Sequence, residues 1–123
     1  PKQNEALQRQ IMQEHLCVSQ FPIGAKIQRK NFPLRNRTMA LLSDATVIIE
    51  ASNTSGSLSQ GWEALRLGSV LFIAKSVVEN GSLTWTDEML HYGARVLSDK
   101  TLDDFFDALP QRSEAHDRAP IPF

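Results

Sequence analysis

The sequence predicts an α/β domain with a mostly parallel sheet and flanking helices, and three observations carry that prediction. Ala45-Thr46-Val47-Ile48-Ile49 is an apolar, largely β-branched run without alternation, the pattern of a parallel strand covered on both faces. A second such run follows at residues 70–74, after a segment of helical spacing. Strand-like and helix-like segments alternate along the chain instead of falling into separate blocks. At 123 residues and 41% hydrophobic content, the chain suffices for one domain and is too short for two ordinary ones. That domain is expected over 1–109, and the charged, proline-containing stretch 110–123 reads as a tail or linker.

Taken in order, residues 4–15 place Leu7, Ile11 and Met12 on one side among Glu, Gln and Arg, which predicts an amphipathic helix. Residues 16–19 read as a short strand, broken by Phe21-Pro22-Ile23-Gly24. Pro33 is suited to the first position of a helix, because its missing N–H is not needed there. Leu34, Thr38, Leu41 and Leu42 then share one face, with Arg35 and Arg37 on its two flanks and Asn36 pointing away. The strand at 45–49 ends in Glu50, and residues 52–57 form a strand-to-helix turn. Ser57 and Gln60 have the spacing of a capping box for a helix that Gly68 stops. A helix over 84–92 closed by Gly93, a strand at 95–97 and a helix over 101–109 complete the domain. The last helix is expected to bury Leu102, Phe105, Phe106 and Leu109.

The formal net charge of −1 excludes a globally basic nucleic-acid binder, so any anion site is local. One stretch supplies it: residues 21–43 contain Lys26, Arg29, Lys30, Arg35 and Arg37 and no acidic residue. Two cations in a helix's first turn oppose its dipole at about 0.3–1 kcal/mol each. Either a carboxylate such as Glu50 or an anionic ligand offsets that cost, and charge placement leaves both open. Ligands of parallel sheets bind beyond the carboxyl ends of the strands, where the 52–57 turn lies. Its free helix-start N–H groups suit a phosphate, although ordinary capping accounts for the same residues.

Other chemistries find little support. Gly56 and Gly61 have the spacing of a phosphate loop, but Trp62 and Glu63 follow where Lys and Ser/Thr are needed. No G-x-G-x-x-G follows a predicted strand, so no dinucleotide cofactor is indicated. His15, His91 and His116 share no metal-ligand spacing, and no serine lies in a G-x-S-x-G elbow. Glu50 could accept a hydrogen bond from a ribose or base, act as a base, or pair with Arg35 or Arg37; the pairing is the first expectation. Phe32, beside the basic run, is suited to stacking on a base, whereas Trp85 reads as core. The single cysteine, Cys17, reads as a small buried hydrophobe and suits a reducing, cytoplasmic setting. No apolar run approaches the length of a membrane span.

Asn31-Phe32-Pro33-Leu34-Arg35-Asn36-Arg37, Leu42-Ser43-Asp44, Val47-Ile48-Ile49-Glu50-Ala51 and Ser55-Gly56-Ser57-Leu58 match in order and spacing the F-P-x-R-N-R, L-S-D, V-V-E-A and S-G-S-L series of one family. On these residues the chain resembles the DprA/Smf DNA-processing family over residues 1–100. Pro1 through Leu7, Ser19-Gln20-Phe21-Pro22 and Gly93-Ala94 add to the likeness. The resemblance implies a Rossmann-like domain that binds single-stranded DNA, hands it to a RecA-type recombinase and commonly dimerises, without catalysis. It assigns Arg35, Asn36, Arg37, Ser55, Gly56 and Ser57 to an anion-binding pocket or its support, while Lys26, Arg29 and Lys30 extend the basic surface by charge alone.

The chain departs from the family in several places. Gln20 stands for a usual Glu, Ser59-Gln60 for Ile-Thr and Lys75-Ser76 for Pro-Gly, as in a divergent subgroup. The family's G-S-R turn and S-G-G-A glycine loop have no counterpart here, so the chain resembles the C-terminal portion of the domain, a partial fold. A half-sheet exposes an edge, which favours self-association into a homo-oligomer. Single-stranded DNA or a nucleotide is therefore the expected ligand. The alternatives are a nucleotide-sensing or phosphoribohydrolase-type enzyme of the wider superfamily, and an interaction module whose arginines serve internal salt bridges.

Overall fold

The computed structural model describes residues 2–110; the expected tail lies outside them, apart from Pro110. A three-residue 3-10 turn leads into helix α1 (Glu5–Glu14), followed by α2 (Asn31–Leu42), strand β1 (Ala45–Ile48), α3 (Gly56–Arg66) and β2 (Val70–Ala74). After these come α4 (Lys75–Val78), α5 (Thr86–His91), β3 (Arg95–Leu97) and α6 (Leu102–Asp107). The three strands form one parallel sheet in the order β1-β2-β3. This is the expected α/β architecture, with helices flanking a parallel sheet.

Register explains how the core assembles. Thr46 pairs with Leu71 and Ile48 with Ile73, so these four side chains share one sheet face. Ile48, Leu71 and Ile73 are buried there with Trp85 and Met89 of the α5 region. Helix α3 closes over this face through Gly61 and Ala64, both buried. Gly61 is needed for the approach: a Cβ on it would stand 3.0 Å from Ile48 Cδ1 and 3.2 Å from Met89 Cε. On the opposite face Phe72 is buried and meets Phe105 of α6 edge-on, with ring centres 5.2 Å apart.

Both glycine stops behave as expected. At Gly68 (φ +72°) the Ser69 N–H reaches back to Ala64 O and the Gly68 N–H to Leu65 O. At Gly93 (φ +106°) Ala94 and Gly93 repeat the arrangement onto Met89 O and Leu90 O. Each satisfies two last-turn carbonyls in a left-handed conformation that favours glycine.

Several expectations are corrected. Residues 16–19 form no strand, because a strand needs a ladder partner and the sheet of the described residues contains only β1, β2 and β3. Cys17 is consequently exposed, not buried. On α2 the buried residues are Asn36 and Ala40, whereas Leu34, Leu41 and Leu42 are exposed. The helix packs chiefly on α3, where the Asn36 side chain finds its hydrogen-bond partner in the Gly56 carbonyl. α1 exists, but Leu7, Ile11 and Met12 are all exposed, since no element among the described residues covers that stripe. Helix α3 starts one residue before Ser57 with Ser55 as its N-cap, so the Ser57–Gln60 capping box does not form. α4, to which the sequence reading assigned no element, is a single turn at the end of β2. On α6 Phe105 packs inward and Leu109 is half-buried, while Leu102 and Phe106 stay exposed.

Candidate nucleic-acid interface

Helix α2 begins two residues before Pro33, which therefore sits in the first turn, where its missing N–H is not required. The earlier start also moves Arg35 and Arg37 into the second turn, where the dipole's influence has largely faded. The cations that do oppose the dipole are Lys30, at the N-cap position, and Arg29 before it. Backbone bonds from Asn31 N–H to Gln28 O and from Phe32 N–H to Arg29 O fold the basic loop onto the helix start. Lys26, Arg29 and Lys30 are all exposed beside it.

Asn36 points inward, the reverse of the sequence expectation. Its side chain is buried and its Nδ2 donates to the carbonyl of Gly56 at 3.3 Å, joining the α2 motif to the start of α3 across twenty positions of sequence. Arg35 and Arg37, one residue to either side, flank this junction and are exposed. The Arg35 guanidinium lies 5.3 Å from the centre of the Phe32 ring and donates to Asn36 Oδ1 at 3.4 Å. Phe32 is about half exposed. Together with Phe21, Pro22, Ile23 and Ile27 it borders a cleft of about 370 Å³ whose only charged lining residue is Arg35. The exposed aromatic ring thus carries a cation on its neighbouring face, a pairing that suits a base and its phosphate.

At the start of α3 the serines divide their work. Ser55 Oγ accepts the Ser52 N–H at 2.9 Å, so its hydroxyl closes the preceding loop and makes no cap bond to the helix. The first-turn N–H groups at Gly56 and Ser57 have no intrahelical acceptor. Both residues are exposed, and nothing lies within 4 Å of where a Gly56 Cβ would be. Asn53, which sequence reading passed over, pins the same loop: its Nδ2 donates to Ser82 O at 3.0 Å and its Oδ1 accepts the Thr84 N–H at 3.1 Å. An Asn in a Ser/Thr-rich turn was the available signal, but its partner lies 29 residues away.

Glu50 is exposed at the end of β1 and borders a groove with Thr46, Ser57 and Gln60. Among the described residues it forms no ion pair with Arg35 or Arg37, so the expected internal pairing is not made. The ion pairs found there are Glu5–Arg9, Glu63–Arg66 and Lys75–Glu79. Lys75, at the position that departs from the family pattern, therefore pairs locally on α4 at 3.4 Å. Trp85 is core, as expected. His15 caps the end of α1, His91 lies in the last turn of α5, and His116 falls outside the described residues. No His, Cys, Asp and Glu cluster among the described residues has metal-site geometry, and no helix there is long and apolar enough to cross a membrane.

The family profile described as DNA recombination-mediator protein A matches residues 1–110. Protein Smf of Synechocystis sp. is 32% identical over 99% of this chain and 31% of its own length. The DNA processing protein DprA of Bacillus subtilis is 26% identical over 92% of this chain and 37% of its own. The X-ray structure of DprA from Streptococcus pneumoniae superposes with a TM-score of 0.73 at 27% identity, covering 91% of this chain and 39% of that one. The chain thus spans about a third of the length of these relatives. The match of fold, motif order and profile over nearly all described residues makes this chain a member of the DNA recombination-mediator protein A family, the DprA/Smf DNA-processing proteins.

Proposed function

We propose that this chain binds single-stranded DNA, without catalysis, on the surface formed by the α2 start, the basic loop before it and the Gly/Ser turn that opens α3. The observation that carries the reading is the Asn36–Gly56 hydrogen bond, which holds exposed arginines on one helix beside free N–H groups on the next. Arg35, Arg37, Lys26, Arg29 and Lys30 supply phosphate contacts, Ser55, Gly56 and Ser57 form and flank the helix-start anion site, and Phe32 stacks on a base. Cytoplasmic action beside a RecA-type recombinase belongs to the same reading, supported by family membership.

The interaction-module alternative loses ground because Arg35 and Arg37 make no pair with Glu50 among the described residues. The enzymatic alternative keeps one feature, Glu50 bordering a groove with Ser57. Titration of labelled oligo-dT at several salt concentrations tests the proposal. For single strands the log–log salt slope is about 0.7 per neutralised phosphate, so Arg35→Ala with Arg37→Ala flattens it by about 1.4. An unchanged slope and affinity would sink the proposed surface. Release of ribose phosphate from nucleoside monophosphates, abolished by Glu50→Gln, would favour the enzyme instead.

A further inference from the structure

We propose that Asn80 is a site of covalent modification, at which the side-chain amide is lost by attack of the Gly81 backbone nitrogen, leaving an acid that loosens the turn before α3. The modification itself does not rest on the DNA-binding reading. Asn80-Gly81 is the one Asn-Gly step of the sequence; Asn4, Asn31, Asn36 and Asn53 precede Glu, Phe, Arg and Thr. With no side chain on the following residue, the backbone nitrogen is open to approach by the amide carbon. Asn80, Gly81 and Ser82 are exposed in the loop between α4 and α5. Nothing lies within 4 Å of where a Gly81 Cβ would be, and among the described residues no hydrogen bond engages the Gly81 N–H.

The fold adds what the dipeptide by itself lacks. Asn80 Oδ1 accepts both the Ser82 N–H at 3.2 Å and the Ser82 hydroxyl at 2.8 Å. The first bond closes a ring that contains the Gly81 nitrogen, so the amide carbon is held folded back toward the atom that attacks it. Both donors face the oxygen on which negative charge gathers as the new C–N bond forms, the arrangement of an oxyanion hole. Water is the sole co-reactant. The Gly81 nitrogen gives up its proton and bonds to Asn80 Cγ, the side-chain nitrogen takes up a proton and leaves as ammonia, and a five-membered imide remains. Water then opens the imide at Cγ to give aspartate, or at the main-chain carbonyl of residue 80 to give isoaspartate. Aspartate places a second carboxylate in the groove that Asn80 shares with Glu50, and isoaspartate lengthens the backbone by one carbon. The same loop anchors the turn before α3, because Asn53 Nδ2 donates to Ser82 O at 3.0 Å and Asn53 Oδ1 accepts the Thr84 N–H at 3.1 Å. Displacing Ser82 and Thr84 therefore releases residues 52–55.

In the test the full-length chain is incubated at mildly acidic, neutral and alkaline pH, digested and analysed by mass spectrometry, with isoaspartate read by enzymatic methylation. Conversion is expected at Asn80 and not at the other asparagines, rising with pH as the Gly81 nitrogen loses its proton. It should run at least as fast as in a synthetic peptide of residues 76–86. Ser82→Ala removes the hydroxyl donor and should slow the folded chain by about two- to tenfold, while leaving the peptide nearly unaffected. Gly81→Val, at a position with room for a side chain, should keep the circular dichroism of the parent and suppress conversion. In the converted fraction hydrogen exchange at residues 52–57 should quicken, while exchange in β2 stays as in fresh protein. No conversion at Asn80, slower conversion in the folded chain than in the peptide, no effect of Ser82→Ala, or unchanged exchange at 52–57 would overturn the inference.

Discussion

Gly61→Ala sets two effects of known size against each other. In a helix interior Ala is favoured over Gly by about 1 kcal/mol, so propensity alone makes the substitution stabilising. The added Cβ, however, would lie 3.0 Å from Ile48 Cδ1 and 3.2 and 3.3 Å from Met89 Cε and Sδ. Met89 is 0% and Ile48 3% exposed, so neither side chain has open space to swing into. Overpacking of this kind costs about 1–3 kcal/mol. The packing term wins, and the net expectation is a loss of about 1 kcal/mol in urea unfolding followed by far-UV circular dichroism. Gly56→Ala is the control, because its Cβ meets nothing, and it should stay within about 0.5 kcal/mol of the parent. Ile48→Val removes the closest atom at a cost of about 0.5–1.5 kcal/mol by itself. Combined with Gly61→Ala it should cost less than the sum, with a coupling of at least about 0.5 kcal/mol. A Gly61→Ala protein more stable than its parent, with no coupling to Ile48, would refute the account of how α3 seats on the sheet.

Other outcomes follow from the same packing and bonding. Thr46→Val replaces an unpartnered buried hydroxyl with a methyl group of similar shape, and should raise the unfolding free energy of the monomer by about 1 kcal/mol in denaturant titration. Asn36→Ala should lower stability by about 1–2 kcal/mol, and Asn36→Asp by more, since a carboxylate would replace the donor facing the Gly56 carbonyl. In oligo-dT titrations Asn36→Ala should weaken binding while leaving the salt slope unaltered, unlike the arginine variants, because it removes no phosphate contact. Gly93→Ala forces a Cβ into φ +106° and should cost about 1–2 kcal/mol, readable as a lower midpoint in thermal unfolding.

Local signals and tertiary ones differed sharply in how well they could be read. The apolar runs at β1 and β2 needed no context, because a strand buried on both faces leaves an uninterrupted pattern. Gly68 and Gly93 were likewise legible, since a left-handed residue at a helix end is a local requirement. Helix α2 was misread for a physical reason: Asn36 was placed away from the face shared by Leu34, Thr38, Leu41 and Leu42, but Asn36 and Ala40 are the residues the helix buries. Periodicity tells which residues share a face and not what that face meets. Residues 16–19 failed differently, because strand composition expresses itself only when a neighbouring backbone supplies the ladder.

For the candidate site, residue identity was readable well before geometry was. Phe32, Arg35, Asn36, Arg37 and the 55–57 turn stood out by charge asymmetry, turn chemistry and family pattern, all properties of the chain itself. Only the folded structure decided that Asn36 turns inward to bond Gly56, that Arg35 lies against Phe32, and that Glu50 stays apart from both arginines. The Asn36–Gly56 bond joins segments twenty residues apart and depends on how α2 packs on α3, whereas Arg35 and Phe32 are neighbours one turn apart on α2. Nothing in the local sequence encodes that packing, because the partner of Asn36 is a backbone carbonyl that only the placement of α3 on the sheet brings within reach.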